Sequence, residues 1–87
     1  MTEESLLEFP CEFPIKIMGE RCDEFARLMG EIVTRHAPGF AAATMEMKSS
    51  KNGKYLSLTC TIKATSREQL DGLYRELSSH PLVSIVL

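Results

Sequence analysis

From Tyr55 to Ala64 polar and apolar residues alternate without a break. Leu56, Leu58, Cys60, Ile62 and Ala64 fall on one side, and Tyr55, Ser57, Thr59, Thr61 and Lys63 on the other. Successive side chains of a β-strand point to opposite faces, so this pattern predicts a strand with one buried and one polar face. A strand of that kind belongs to an antiparallel sheet covered on one side only. The rest of the chain must supply the cover.

Two helical stretches do so. Phe25, Leu28, Met29, Ile32, Val33 and His36 recur at helical spacing, and Leu70, Leu73, Tyr74 and Leu77 repeat the pattern. Asp23 is read as the N-cap of the first helix, because its carboxylate can accept a bond from an orphaned amide of the first turn. Ala37-Pro38-Gly39 ends that helix. Ser66 and Gln69 form a capping box for the second, and Pro81 stops it after His80.

Three further strands complete the set. Phe13 to Gly19 places Ile15 and Ile17 on one face and Lys16 and Met18 on the other. Ala43 to Lys48 alternates Ala43, Met45 and Met47 with Thr44, Glu46 and Lys48, and Asn52-Gly53 signals a type I′ hairpin into the next strand. Leu82 to Leu87 is β-branched and too short for a helix. Residues 1–12, broken by Pro10, read as an extended N-terminal arm, and residues 13–87 as a single domain. Right-handed crossovers in this order give an α+β, ferredoxin-like βαββαβ sandwich. Its four-stranded antiparallel sheet has order 4-1-3-2, with two helices on one face.

Composition limits what such a domain does. Eighty-seven residues support one core. A formal net charge of -2 argues against a dedicated nucleic-acid binder. The polar sheet face also lacks the central aromatics of an RNA-recognition sheet, since Tyr55 is followed by Ser57, Thr59, Thr61 and Lys63. No apolar run approaches the roughly 20 residues of a membrane span, so no membrane partner is expected. The acidic start Met1-Thr2-Glu3-Glu4 is unlike a secretory signal. Cys11, Cys22 and Cys60, an odd set without a CxxC pair, fit reduced thiols. The expected compartment is the cytoplasm.

No catalytic constellation emerges. The topology sends His36 and His80 to opposite ends, each in the last turn of a helix where a positive charge complements the macrodipole, so no shared metal site is expected. Cys22 stands before a helix N-terminus, but Asp23 beside it opposes a thiolate and no base is adjacent. Cys60 points into the core. No cofactor is expected.

Two places remain for binding. One end of the domain collects Arg21 with Lys48, Lys51 and Lys54, a basic hairpin suited to an anion or an acidic partner. The last strand is an edge that is apolar on both faces, through Leu82, Val83, Ile85 and Leu87, and such an edge needs cover. The N-terminal arm with Leu6, Leu7 and Phe9, a second copy of the domain (a homodimer), or another protein could supply it.

Several segments carry a family resemblance. Leu6-Leu7-Glu8-Phe9-Pro10, Phe13-Pro14, Met18-Gly19, Arg35-His36-Ala37-Pro38-Gly39, Ser49-Ser50-Lys51, Leu73-Tyr74-Arg75-Glu76-Leu77 and Val86-Leu87 together resemble the YbeD-like family of small bacterial proteins. The resemblance covers nearly the whole chain and implies a fold like the regulatory ACT domain. It implies no cysteine chemistry at positions 11, 22 or 60. The ACT likeness further implies a small-molecule site at the turn Met18-Gly19-Glu20-Arg21, where Gly19 lets a ligand approach the backbone. The expectation is therefore a non-enzymatic regulatory or protein-interaction module, with a metabolite-sensing domain as the alternative.

Overall fold

The computed structural model of the protein describes residues 8–87. The chain runs β1 (Cys11–Glu20), α1 (Phe25–His36), β2 (Glu46–Ser49), β3 (Tyr55–Ala64), α2 (Arg67–Ser78) and β4 (Val83–Val86). The four strands form one antiparallel sheet in the order β2-β3-β1-β4, the expected 4-1-3-2 read from its other edge.

Alternation sets the core. β1 and β3 pair along ten residues, from Cys11 opposite Ala64 to Glu20 opposite Tyr55. Ile15, Ile17, Leu58, Cys60, Ile62 and Ala64 are buried on the inner face. Phe25, Met29, Ile32 and Val33 from α1 and Leu70, Leu73 and Leu77 from α2 close over them. Among the described residues no polar or charged side chain is buried. The core is held by apolar packing, each large side chain contributing about 1.5–3 kcal/mol on leaving water.

A proline sits inside β1. The strand begins at Cys11, within the stretch read as an arm, and Pro14 pairs opposite Thr61. Lys16 and Leu87 exchange both backbone hydrogen bonds, at 3.2 and 2.8 Å. The two-residue period therefore turns the nitrogen of Pro14 toward the same side, past the last β4 pair, where no ladder bond is lost.

Several local expectations are corrected. Asp23 does not cap α1. The N-cap position is Glu24, whose side chain makes no capping bond. The Phe25 amide instead donates to the Cys22 carbonyl at 3.2 Å, so a backbone turn takes the place of the carboxylate. Ala43 and Thr44 are not in β2 but in a single 3-10 turn, Ala42–Thr44. The Thr44 amide and hydroxyl both donate to the Ala41 carbonyl, at 2.9 and 2.6 Å, which coils the backbone short of the strand.

The hairpin forms, but not through a type I′ turn. Only Gly53 has positive φ, at 75°, and Asn52 does not. Ser50 pairs with Tyr55 across four loop residues, its amide donating to the Tyr55 carbonyl at 2.9 Å. Asn52 Oδ1 accepts from the Lys54 amide at 3.2 Å, and the Ser50 hydroxyl accepts from the Tyr55 amide at 3.0 Å. Side-chain oxygens thus hold a longer loop that needs only one left-handed residue.

α2 ends at Ser78, short of His80. His80 Nδ1 accepts from the Leu82 amide at 3.1 Å and shapes the turn into β4, a role other than helix-end charge. The capping box of α2 forms, with the Gln69 amide donating to Ser66 Oγ at 3.0 Å.

Candidate functional site

The turn after β1 and the lysine hairpin meet at one end, as the topology requires. The Arg21 amide donates to the Lys54 carbonyl at 2.8 Å, and Arg21 Nη1 donates to Ser49 Oγ at 3.5 Å. Between them lies a cleft of about 300 Å³ lined by Arg21, Cys22, Asp23, Ala26, Met47 and Ser49. Lys48, Lys51 and Lys54 are exposed, with Lys54 Nζ 5.8 Å from the centre of the Tyr55 ring.

Within the Met18-Gly19-Glu20-Arg21 segment the residues part company. Gly19 lies in β1, not in a turn, and is buried. A Cβ on it would collide with the Leu82 carbonyl oxygen and lie 2.7 Å from Phe25 Cε1. The close approach that glycine permits is thus taken up by Phe25 and Leu82 of the same chain. Met18 is half-buried on the open sheet face, and Glu20 and Arg21 are exposed. Of the four, Arg21 alone lines the cleft.

β4 lies at the sheet edge beside β1, and its two faces differ. Leu82, Val83 and Val86 are half-buried against the core, whereas Ile85 is 50% and Leu87 64% exposed. Met18 stands opposite Ile85, so Met18, Ile85 and Leu87 form an apolar strip on the open face. Leu6 and Leu7 lie outside the described residues. Phe9, the described part of the arm, packs against the core.

A charged cluster at the other end has no counterpart in the sequence reading. Arg35 grips Glu76 through both oxygens, at 3.0 and 2.7 Å, and His36 Nε2 lies 2.7 Å from Glu76 Oε1. The Arg35 and His36 hydrogen bonds hold the Glu76 carboxyl down to about 2. Gln69 Nε2 donates to the His36 carbonyl at 2.9 Å, and Gln69 Oε1 accepts from the Thr65 amide at 2.7 Å. The cluster ties the C-terminus of α1 to α2, so His36 is a partner in a clamp between the two helices. Each of these side chains is engaged with a neighbour, which suits clamping better than catalysis. The adjacent pair Arg35-His36 was visible in the sequence, but nothing there placed Glu76 beside it.

Also unanticipated is a groove of about 700 Å³ between α1 and the Ala42–Met45 segment that precedes β2, floored by Ala26, Gly30, Thr34, Ala42 and Met45. Its signal was the four-residue spacing of the small residues Ala26, Gly30 and Thr34. Cys60 is fully buried, and burial pushes its thiol up to about 11, away from reactivity. Among the described residues no three His, Cys, Asp or Glu side chains cluster as metal ligands. None of the described helices is long and apolar enough to cross a membrane.

These features define an ACT-like, ferredoxin-like domain. The fold matches the solution structure of protein HP0495 from H. pylori with a TM-score of 0.75, at 18% identity over 93% of this chain and 85% of that one. It also matches the ACT domain from GTP pyrophosphokinase of Chlorobium tepidum with a TM-score of 0.70, at 14% identity over 90% and 96%. At such identities the likeness is one of fold.

The chain belongs to the UPF0250 family, YbeD-like proteins described as "Protein of unknown function (DUF493)", whose profile spans residues 4–87. A UPF0250 protein of Nitrosomonas europaea is 58% identical over the full length of both chains. A UPF0250 protein of Bordetella pertussis is 59% identical over 98% of this chain and 93% of that protein.

Proposed function

We propose that this protein is a non-enzymatic regulatory module that docks another protein along β4. The observation that carries the reading is the edge itself. Lys16 and Leu87 bond to one another, so alternation turns the backbone groups of Val86 outward, where a partner strand can pair. Ile85 and Leu87 add exposed apolar side chains, and β4 bears no charged residue to repel an incoming strand. The basic hairpin residues Lys48, Lys51 and Lys54 would steer an acidic partner.

The test is affinity purification from the native cell with wild type and with Ile85→Lys. A partner retained by wild type and lost with Ile85→Lys supports docking at β4. A partner retained equally by both, or none retained by wild type, overturns it.

The cleft beside Arg21 favours one second reading, a metabolite-sensing ACT-like domain. Its carboxylate ligand would sit against the Arg21 guanidinium at the Met18-Gly19-Glu20-Arg21 segment. A thermal-shift screen of amino acids and other small carboxylates tests it, because a ligand that binds only the native state raises its melting temperature. Stabilisation that disappears with Arg21→Ala supports the sensor. No stabilisation by any compound, or stabilisation that survives Arg21→Ala, removes this site.

A further inference from the structure

Chain length limits where the apolar pair Leu6 and Leu7 can go. Phe9 packs against the core, and Pro10 leads into β1 at Cys11, opposite Ala64. The root of the arm is therefore fixed at the Ala64 end of the sheet. From Pro10 a fully extended chain reaches about 10 Å to Leu7 and about 14 Å to Leu6. Ile85 stands opposite Met18, eight residues along the chain from Pro10 and about 26 Å away. Leu87 pairs with Lys16, about 20 Å away. Leu7 falls short of both, and Leu6 falls short of Ile85. The pair does not cover the β4 edge of its own domain.

Within its reach lies a cleft of about 720 Å³ that Pro10 itself helps to line. Phe40, half-buried, and Ala41, exposed, line it from the loop after α1. Glu12, Thr61 and Lys63, on the open face of the sheet by alternation, line it from β1 and β3. Among the described residues Lys63 forms no ion pair. Glu3 and Glu4, just before the apolar pair, bring the opposite charge to it. A tether of three residues holds Leu7 near the cleft at an effective concentration on the order of millimolar, which favours it over a free segment of the same chemistry.

We propose that Leu6 and Leu7 fold back into this cleft against Phe40 and Ala41. The N-terminal arm is then a strap seated on its own domain, joining the start of β1 to the loop after α1 and leaving β4 to another molecule.

Nuclear Overhauser contacts in the full-length protein, labelled at the leucine methyls, test the seat directly. Contacts from the Leu6 or Leu7 methyls to the Phe40 ring or the Ala41 methyl are expected, and they should persist on dilution. The double variant L6S/L7S should lower the melting temperature by about 4–8 °C. Ala41→Glu, at an exposed position outside the core, should lower it by a similar amount. The triple variant should melt little below either, because both changes remove the same contact. Circular dichroism checks that every variant is folded. Leu6 and Leu7 methyls without a contact to Phe40 or Ala41 overturn the proposal, and so do losses that add in the triple variant. Contacts seen only between labelled and unlabelled copies also overturn it, since the arm would then sit on a second molecule.

Discussion

Gly19 lies against the ring of Phe25 so closely that a Cβ there would stand 2.7 Å from Cε1 and 2.9 Å from Cζ. The Leu82 carbonyl blocks the remaining side, and backbone cannot swing away as a flexible side chain can. Gly19→Ala is therefore expected to destabilise the protein by about 2–3 kcal/mol through overpacking. Urea denaturation measures it, and a loss under about 0.5 kcal/mol, the range of ordinary surface changes, would contradict the packing.

The two helix starts predict opposite responses. Ser66→Ala removes the oxygen that accepts from the Gln69 amide and should cost about 1 kcal/mol, with Ser66→Gly costing only a few tenths. Asp23 is exposed and does not cap α1, so Asp23→Ala should stay within about 0.5 kcal/mol of wild type. A cost at Asp23 equal to that at Ser66 would mean the carboxylate caps after all.

Glu76 sets an acid dependence. Its folded value, about 2, lies below the ordinary 4.5, so the deprotonated form is favoured by folding. The resulting stabilisation is present above about pH 4.5 and is lost as the pH falls toward 2. Glu76→Gln should remove about one proton from the uptake on unfolding in that window and flatten the acid limb of the stability profile. An acid limb unchanged in the variant would assign that dependence to other carboxylates.

Gly53 is the single residue of positive φ, at 75°, among the described residues. Any side chain there meets the steric cost of the left-handed region, so Gly53→Ala should lose about 1–2 kcal/mol. Asn52 holds the loop through its side-chain oxygen without that conformation, so Asn52→Asp should be tolerated within about 0.5 kcal/mol. Thermal unfolding separates the two.

The cysteines should divide by burial. Cys60 is sealed in the core, whereas Cys11 and Cys22 are half-exposed. A thiol reagent should label two groups in the native protein, and the third only as the protein unfolds. Three equally fast groups would contradict the placement of Cys60.

The fold was legible because alternation is local. Leu56 to Ala64 and Ile15 with Ile17 announce their inner face residue by residue, and the two helical stripes announce theirs, so only one layered arrangement buries them all. Strand and helix ends were less legible. Thr44 coils toward the Ala41 carbonyl and Cys22 satisfies the Phe25 amide, two backbone bonds that side-chain patterns do not report. The candidate sites divide in the same way. The exposed lysines and the apolar β4 edge followed from chain order, but Gly19 shows the limit, since the space beside it depends on where Phe25 and Leu82 come to rest.

By itself the sequence determined the element types, their order and the buried faces, because periodicity and turn chemistry act over a few residues. Only the tertiary structure decided that Glu76 joins Arg35 and His36, which lie 41 and 40 positions away. It alone filled the surroundings of Gly19 with Phe25 and the Leu82 carbonyl. Those relations depend on register and on the docking of α1 against α2. Both are set by packing between segments distant in the chain.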